Sequence, residues 1–123
     1  MKLNGLMIGS ESPKVLGEFY TKVFGEPGMQ EDDWNGFDIG GATLMIGPHS
    51  EVKGKNDSPG RIIIAIESDD LQNEFNRIKD LGAEVVAAPY QPDKDNSPET
   101  WLATFADPDG NYFQLATPWK KQS

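Results

Sequence analysis

An α+β fold built from two successive βαβββ modules is what this sequence predicts, on three observations. The order strand, helix, strand, strand, strand is legible twice along 123 residues. The 13 Gly and 9 Pro are dense enough to cut the chain into short elements, which disfavours a bundle of long helices. Local text also recurs in step: Glu18-Phe19 stands six residues before Phe24-Gly25, and Glu74-Phe75 a similar distance before Leu81-Gly82.

The first module opens with the apolar run Leu3 to Ile8, closed by Gly9 and read as a strand. Ser10-Glu11-Ser12-Pro13 then marks a helix start, because proline suits the first helical position. Val15, Leu16, Phe19 and Val23 recur at helical spacing, with Lys14, Glu18 and Lys22 turned the other way, and Gly25 and Pro27 stop the run. A minor strand fits Gly28 to Asp32. Trp34 to Ile39 and Ala42 to Ile46 read as strands joined by Gly40-Gly41, a strong hairpin signal.

A polar linker, residues 51–59, separates this pseudo-repeat (1–50) from a second (60–118) within one expected domain of residues 1–123. Arg61 to Glu67 reads as a strand and Ser68-Asp69-Asp70 as a cap. Leu71, Phe75, Ile78 and Leu81 form the stripe of a second helix ended by Gly82. Ala83 to Ala88, Trp101 to Phe105 and Tyr112 to Ala116 follow as strands, the last two joined through the turn Asp107-Pro108-Asp109-Gly110-Asn111.

Composition narrows the function classes. Hydrophobic residues make up 37%, charged 25% and aromatic 10%, an ordinary globular balance. Twenty acidic against eleven basic residues give a net charge of -9, the wrong sign for a nucleic-acid surface. The basic clusters, Lys53 with Lys55 and Lys120 with Lys121, are short. Without cysteine there is no disulfide framework, thiol nucleophile or thiolate zinc site. The start Met-Lys-Leu-Asn-Gly lacks the apolar core of a signal peptide, and the aliphatic run Ile62 to Ile66 is too short to span a bilayer. The expectation is a soluble cytoplasmic protein with neither nucleic acid nor membrane as partner.

Three blocks carry a family resemblance: Phe19-Tyr20-Thr21-Lys22-Val23-Phe24-Gly25, Ile66-Glu67-Ser68-Asp69-Asp70-Leu71, and Phe105 to Leu115 around Asp107-Pro108-Asp109-Gly110-Asn111. In this order they resemble the vicinal oxygen chelate superfamily of glyoxalases, extradiol dioxygenases, fosfomycin-resistance thiol transferases and bleomycin-binding proteins. The resemblance implies two βαβββ modules whose mixed sheets curl around a central cleft, and a homodimer. Strand parity adds which residues face the helices: Leu6, Ile8, Leu44, Ile46, Ile62, Ile64, Ile66, Phe113 and Leu115. Gly5, Met7, Thr43, Met45, Ile63, Ala65, Tyr112, Gln114 and Ala116 then face the cleft.

Metal-dependent members carry histidine, glutamine or glutamate at four cleft positions, which fall here on Gly5, Met45, Ile63 and Gln114. A slip of one residue brings in Asn4, Ile62 or Ile64, none of which restores a site. Only Gln114 offers a donor, so no metal and no cofactor are expected, and no catalytic set is identified. The one histidine, His49, reads either as a solvated loop residue or as a polar contact or general base at the cleft mouth. Glu31, Asp32 and Asp33, and Asp93 with Asp95, read as solvated charge or as acidic recognition of a cation. Asp107 and Asp109 read as a turn rather than half a calcium loop.

What remains is aromatic and sulfur-bearing. Met7, Trp34, Phe37, Met45, Ile63, Trp101 and Tyr112, with Thr43, His49 and Gln114 as polar groups, are the candidate contacts of a small organic ligand; Tyr90 is a weaker one. The same side chains suit plain core or interface. The expected function is metal-independent binding of a small molecule in the bleomycin-resistance manner. The alternatives are a glyoxalase-like lyase, isomerase or dioxygenase with a divalent metal, or an acid-base catalyst using His49, and a structural or regulatory subunit whose cleft is filled by its own side chains.

Overall fold

Residues 1–119 are described by a computed structural model, in which the chain forms two compact units, Met1–Lys55 and a second from Asn56. Lys120 and Lys121 lie outside the described residues. In the first unit the elements are β1 (Gly5–Ser10), α1 (Pro13–Phe24), β2 (Met29–Glu31), β3 (Trp34–Ile39) and β4 (Ala42–Pro48). In the second they are β5 (Ile64–Glu67), α2 (Leu71–Asp80), β6 (Glu84–Tyr90), β7 (Leu102–Ala106) and β8 (Tyr112–Ala116), with a 3-10 turn at Pro59–Arg61 before β5. Each unit is thus βαβββ with one mixed four-stranded sheet, ordered β1-β4-β3-β2 in the first and β5-β8-β7-β6 in the second.

The first sheet is held in register by its turns. Ile39 pairs with Ala42 across Gly40 and Gly41, whose φ values of 61° and 94° are those a two-residue hairpin of matching twist requires. Glu31 pairs with Trp34 across Asp32-Asp33, and Asp32 takes φ 53°. The acidic run is therefore a hairpin tip, with aspartate at a left-handed position it tolerates better than most residues. Parallel β1 joins on the far side of β4, Leu6 beside Leu44 and Ile8 beside Ile46.

The helix α1 packs on the face that carries Leu44, Ile46 and Phe37. Its buried stripe is Leu16, Gly17, Tyr20 and Val23, while Val15, expected in the stripe, is 53% exposed. Residues 16, 20 and 23 follow the 3.6-residue turn, and the phase with Val15 loses because Tyr20 brings a larger apolar body. Tyr20 stacks on Phe24 at 5.6 Å between ring centroids, and Phe24 meets Phe37 at 6.1 Å. Gly25, at φ 93°, donates its N–H to Thr21 O and ends the helix.

In the second unit Leu71, Phe75 and Ile78 are the buried stripe of α2, and Leu81 lies beyond it, 42% exposed. Phe75, Phe105 and Phe113 stack in sequence at 5.2 and 5.4 Å, all fully or nearly fully buried. The expected strand from Arg61 begins only at Ile64, so Ile62, assigned to the helix-facing side, is 66% exposed and Ile63 40%. The reason lies in its partner, since β8 starts at Tyr112 and Asn111 belongs to the preceding turn. There Asp107, 5% exposed, accepts from the N–H groups of Asp109 and Asn111 through Oδ1 and from the Asn111 amide through Oδ2. These bonds make the Asp-Pro-Asp-Gly block a closed turn.

The polar stretch 51–59 is hydrogen-bonded at its two ends, each within its own unit. Gly54 N–H donates to Glu11 Oε1, and Asn56 donates to Asp109 O and Asn111 Oδ1. The outer strand β6 is irregular, with register shifts between Val85 and Ala87 and between Ala87 and Tyr90, and carries Pro89 where an edge position tolerates it. Among the described residues no helix is long and apolar enough to cross a membrane.

Candidate functional site

With α1 on one face of the first sheet, the other face is built from the alternate residues, and the pairing fixes who stands beside whom. One row across the strands reads Met29, Gly36, Met45, Met7. The neighbouring row holds Glu31, Trp34, Gly47 and Gly9. The glycines are what shape it. A Cβ on Gly47 would run into the Trp34 ring, so the indole lies flat on the backbone of the adjacent strand. A Cβ on Gly36 would stand 3.0 Å from Met45 Sδ and 3.6 Å from Met29 Cε, so both thioether chains lean over that glycine.

The product is a flat aromatic panel edged by flexible sulfur side chains. Trp34 and Met45 are half-buried, Met29 is 37% exposed and Met7 57%. His49 sits at one rim, its Cβ 2.7 Å from where a Cβ on Gly9 would be, and its Nδ1 accepts from Glu51 N–H. That bond leaves Nε2 as the ring's outward nitrogen. Thr43 stands exposed beside Gly5 in the next row. Phe37 does not belong here: it pairs with Leu44, is 2% exposed, and meets Phe24 under α1, so it is core. Odd and even positions of β3 point to opposite faces, and 34 and 37 differ in parity.

The open face of the second sheet carries a more polar row. Ala65, Gln114, Thr104 and Ala87 form a row, with Gln114 half-buried and Thr104 7% exposed, and Tyr112 pairs with Ala106. Trp101 precedes β7 and is 38% exposed; its backbone N–H donates to Thr117 Oγ1. Ile63 precedes β5 and Tyr90 ends β6, so neither is inside the row. Sequence reasoning missed Met29 and Thr104. Alternation from Ala103 and Phe105 turns Thr104 to the open face, where it is still buried, whereas a three-residue β2 is too short for its alternation to be read.

The four positions that resemblance assigns to a divalent metal supply no fitting donor set. Gly5 has no side chain, and a Cβ there would meet the Thr43 carbonyl oxygen. Met45 offers a thioether, Ile63 an alkyl group and Gln114 a neutral amide. Such ions need imidazole or carboxylate ligands, and among the described residues no three of His, Cys, Asp or Glu are grouped to hold one.

A pair of βαβββ units with helices on one face of each sheet defines the glyoxalase-like class of α+β proteins. Residues 5–116 match the family model described as the glyoxalase-like domain, and the chain belongs to that family. A solved structure called a conserved domain protein, its organism unstated, is 24% identical over 97% of this chain and 100% of its own, with a TM-score of 0.78. A glyoxalase/bleomycin resistance protein/dioxygenase family enzyme from Burkholderia phytofirmans PsJN is 20% identical over 95% and 98%, TM-score 0.69. The fosfomycin resistance protein FosX from Mesorhizobium loti is 17% identical over 97% and 92%, TM-score 0.64. At these identities the likeness is one of fold. No curated protein matches the sequence.

Proposed function

We propose that this glyoxalase-like protein binds a small planar organic molecule without a divalent metal, and sequesters it rather than transforming it. The observation that carries the reading is the Trp34 indole laid flat on Gly47, with Met29 and Met45 leaning over Gly36 beside it. A ring held in this way offers a stacking surface, and thioether chains adapt to the outline of whatever lies on it. Met7, Thr43 and His49 border the panel, and on the second unit Trp101, Tyr112, Ile63 and Gln114 are proposed as ligand contacts of that unit's own open face. The net charge of -9 favours a cationic ligand.

The same proposal places the protein in the cytoplasm as a homodimer, without nucleic-acid or membrane partners. Exposed Leu3 (80%) and Met7 (57%) in the first unit, and Ile62 (66%) in the second, support self-association. The test is a fluorescence titration of the full chain, purified without added metal, against planar organic cations, planar neutral aromatics and non-planar amines. Saturable quenching by planar cations that is lost in Trp34→Leu is the expected result. Stoichiometric zinc, nickel, manganese or iron in native mass spectra, with turnover that depends on it, overturns the reading in favour of a lyase, isomerase or dioxygenase.

A further inference from the structure

We infer that the Trp34 panel, taken as the stacking surface proposed above, selects planar cations that also carry a carbonyl-type oxygen, which His49 receives as a hydrogen-bond donor. Gly9 lies directly beside Gly47 across the parallel pair β1 and β4, so the two glycines open on the same face about 4.8 Å apart. The Trp34 ring covers Gly47. His49 covers Gly9, its Cβ and Cγ standing 2.7 and 3.5 Å from where a Cβ on that glycine would be, and Val52 Cγ2 closes the same spot at 3.3 Å. Indole and imidazole therefore stand over neighbouring positions of one row.

The turn after β4 fixes which nitrogen carries the proton. His49 O accepts from Val52 N–H, and His49 Nδ1 accepts from Glu51 N–H, each at 3.1 Å. A neutral imidazole has one N–H and one lone-pair nitrogen, and with the lone pair committed at Nδ1 the proton resides on Nε2. The side chain is exposed and Nε2 has no partner among the described residues, so the outward atom is an open donor. It has no lone pair for a general base, so the residue serves recognition. At the other end of the row Glu31 stands directly opposite Trp34 in the β2–β3 pair, and it is exposed. Directly opposed residues of antiparallel strands have Cβ atoms about 5 Å apart, so this carboxylate borders the indole and attracts a cation. From Glu31 to His49 the row spans three strand spacings, about 14 Å, with an acceptor at one end, a ring between and a donor at the other. A flat molecule with a cationic end and an oxygen acceptor end matches that order.

The experiment is calorimetric titration of the full chain with benzamidine, 4-carbamoylbenzamidine and benzamide, which carry the cation alone, both groups, and the oxygen alone. The molecule with both groups binds about fivefold or more tightly than either of the others, the worth of one further hydrogen bond. His49→Leu removes the advantage of the carbamoyl group and leaves benzamidine affinity unchanged, whereas His49→Gln, which keeps an N–H donor, retains part of it. Glu31→Gln weakens both cations alike. Because the chain has one histidine, ¹⁵N spectra of the labelled protein, at a pH where the ring is neutral, report its tautomer directly, with the proton expected on Nε2. Equal affinities for the two cations, a carbamoyl advantage that survives His49→Leu, or the proton on Nδ1 overturns this inference and leaves the stacking site standing. Absence of binding by either cation overturns both.

Discussion

The two units share one chain order and one sheet topology, yet their open faces have parted company. On the first, thioethers and an indole rest on glycine; on the second, alanine, threonine and glutamine line a row with little apolar bulk. Their covered faces stayed alike, each an aromatic cluster bridging helix to sheet, through Tyr20, Phe24 and Phe37 in one and Phe75, Phe105 and Phe113 in the other. The lesson is a division of labour by face. The helix side holds the frame and tolerates little, whereas the opposite side is free to specialise once the frame is secure.

If that division holds, the largest effect comes from the frame. Phe105→Ala, at the middle of the second stack and fully buried, destabilises by about 3–5 kcal/mol in urea or guanidinium unfolding, and Phe37→Ala does the same for the first unit. Gly47→Ala probes the boundary between frame and face. Its methyl group displaces the Trp34 ring, shifts the indole emission, lowers stability by about 1–3 kcal/mol and reduces affinity for planar cations. Alanine at position 110, outside the panel, shifts no such emission.

The face itself is sharpened by pairing two substitutions. Trp34→Leu lowers affinity about tenfold to a hundredfold, near 1.4–2.7 kcal/mol, with small change in Tm, while Gln114→Ala costs less than tenfold; equal losses erase the contrast between the units. Gly41→Ala strains the β3–β4 hairpin at φ 94° and costs about 1–2 kcal/mol by thermal denaturation, with ligand affinity retained. The smallest effect is Glu74→Gln, which removes the exposed pair with Arg77 (3.0 Å) at a cost of about 0.5 kcal/mol or less in the same assay.

Much of the frame is legible in the sequence because it depends on local periodicity and punctuation. Gly40-Gly41, Pro13, Gly25 and Gly82 announce where elements turn, and alternation through Leu44 to Ile46 and Phe113 to Leu115 gives the covered faces correctly. The stripe is read with Val15 and without Tyr20, the reverse of what is buried, since two helical phases are compatible with that stretch and only packing chooses between them. Ile62 followed alternation but had no partner strand to extend it. The candidate face was harder still. Tryptophan at 34 is visible, but that it lies on Gly47 depends on the register of β3 against β4, which no local pattern sets. Composition treats Phe37 and Trp34 as alike, although their parity separates them.

The shifts in β6 have a consequence of another kind. A strand at the margin of a sheet presents unmet backbone groups to any passing chain, and a regular one invites stacking into fibrils. With its pairing interrupted twice and proline at 89, β6 breaks the even ladder such growth copies, while β2, three residues long, gives the first sheet's margin almost nothing to copy. Both modules thus guard one margin against runaway polymerisation by different means, irregularity in one and brevity in the other.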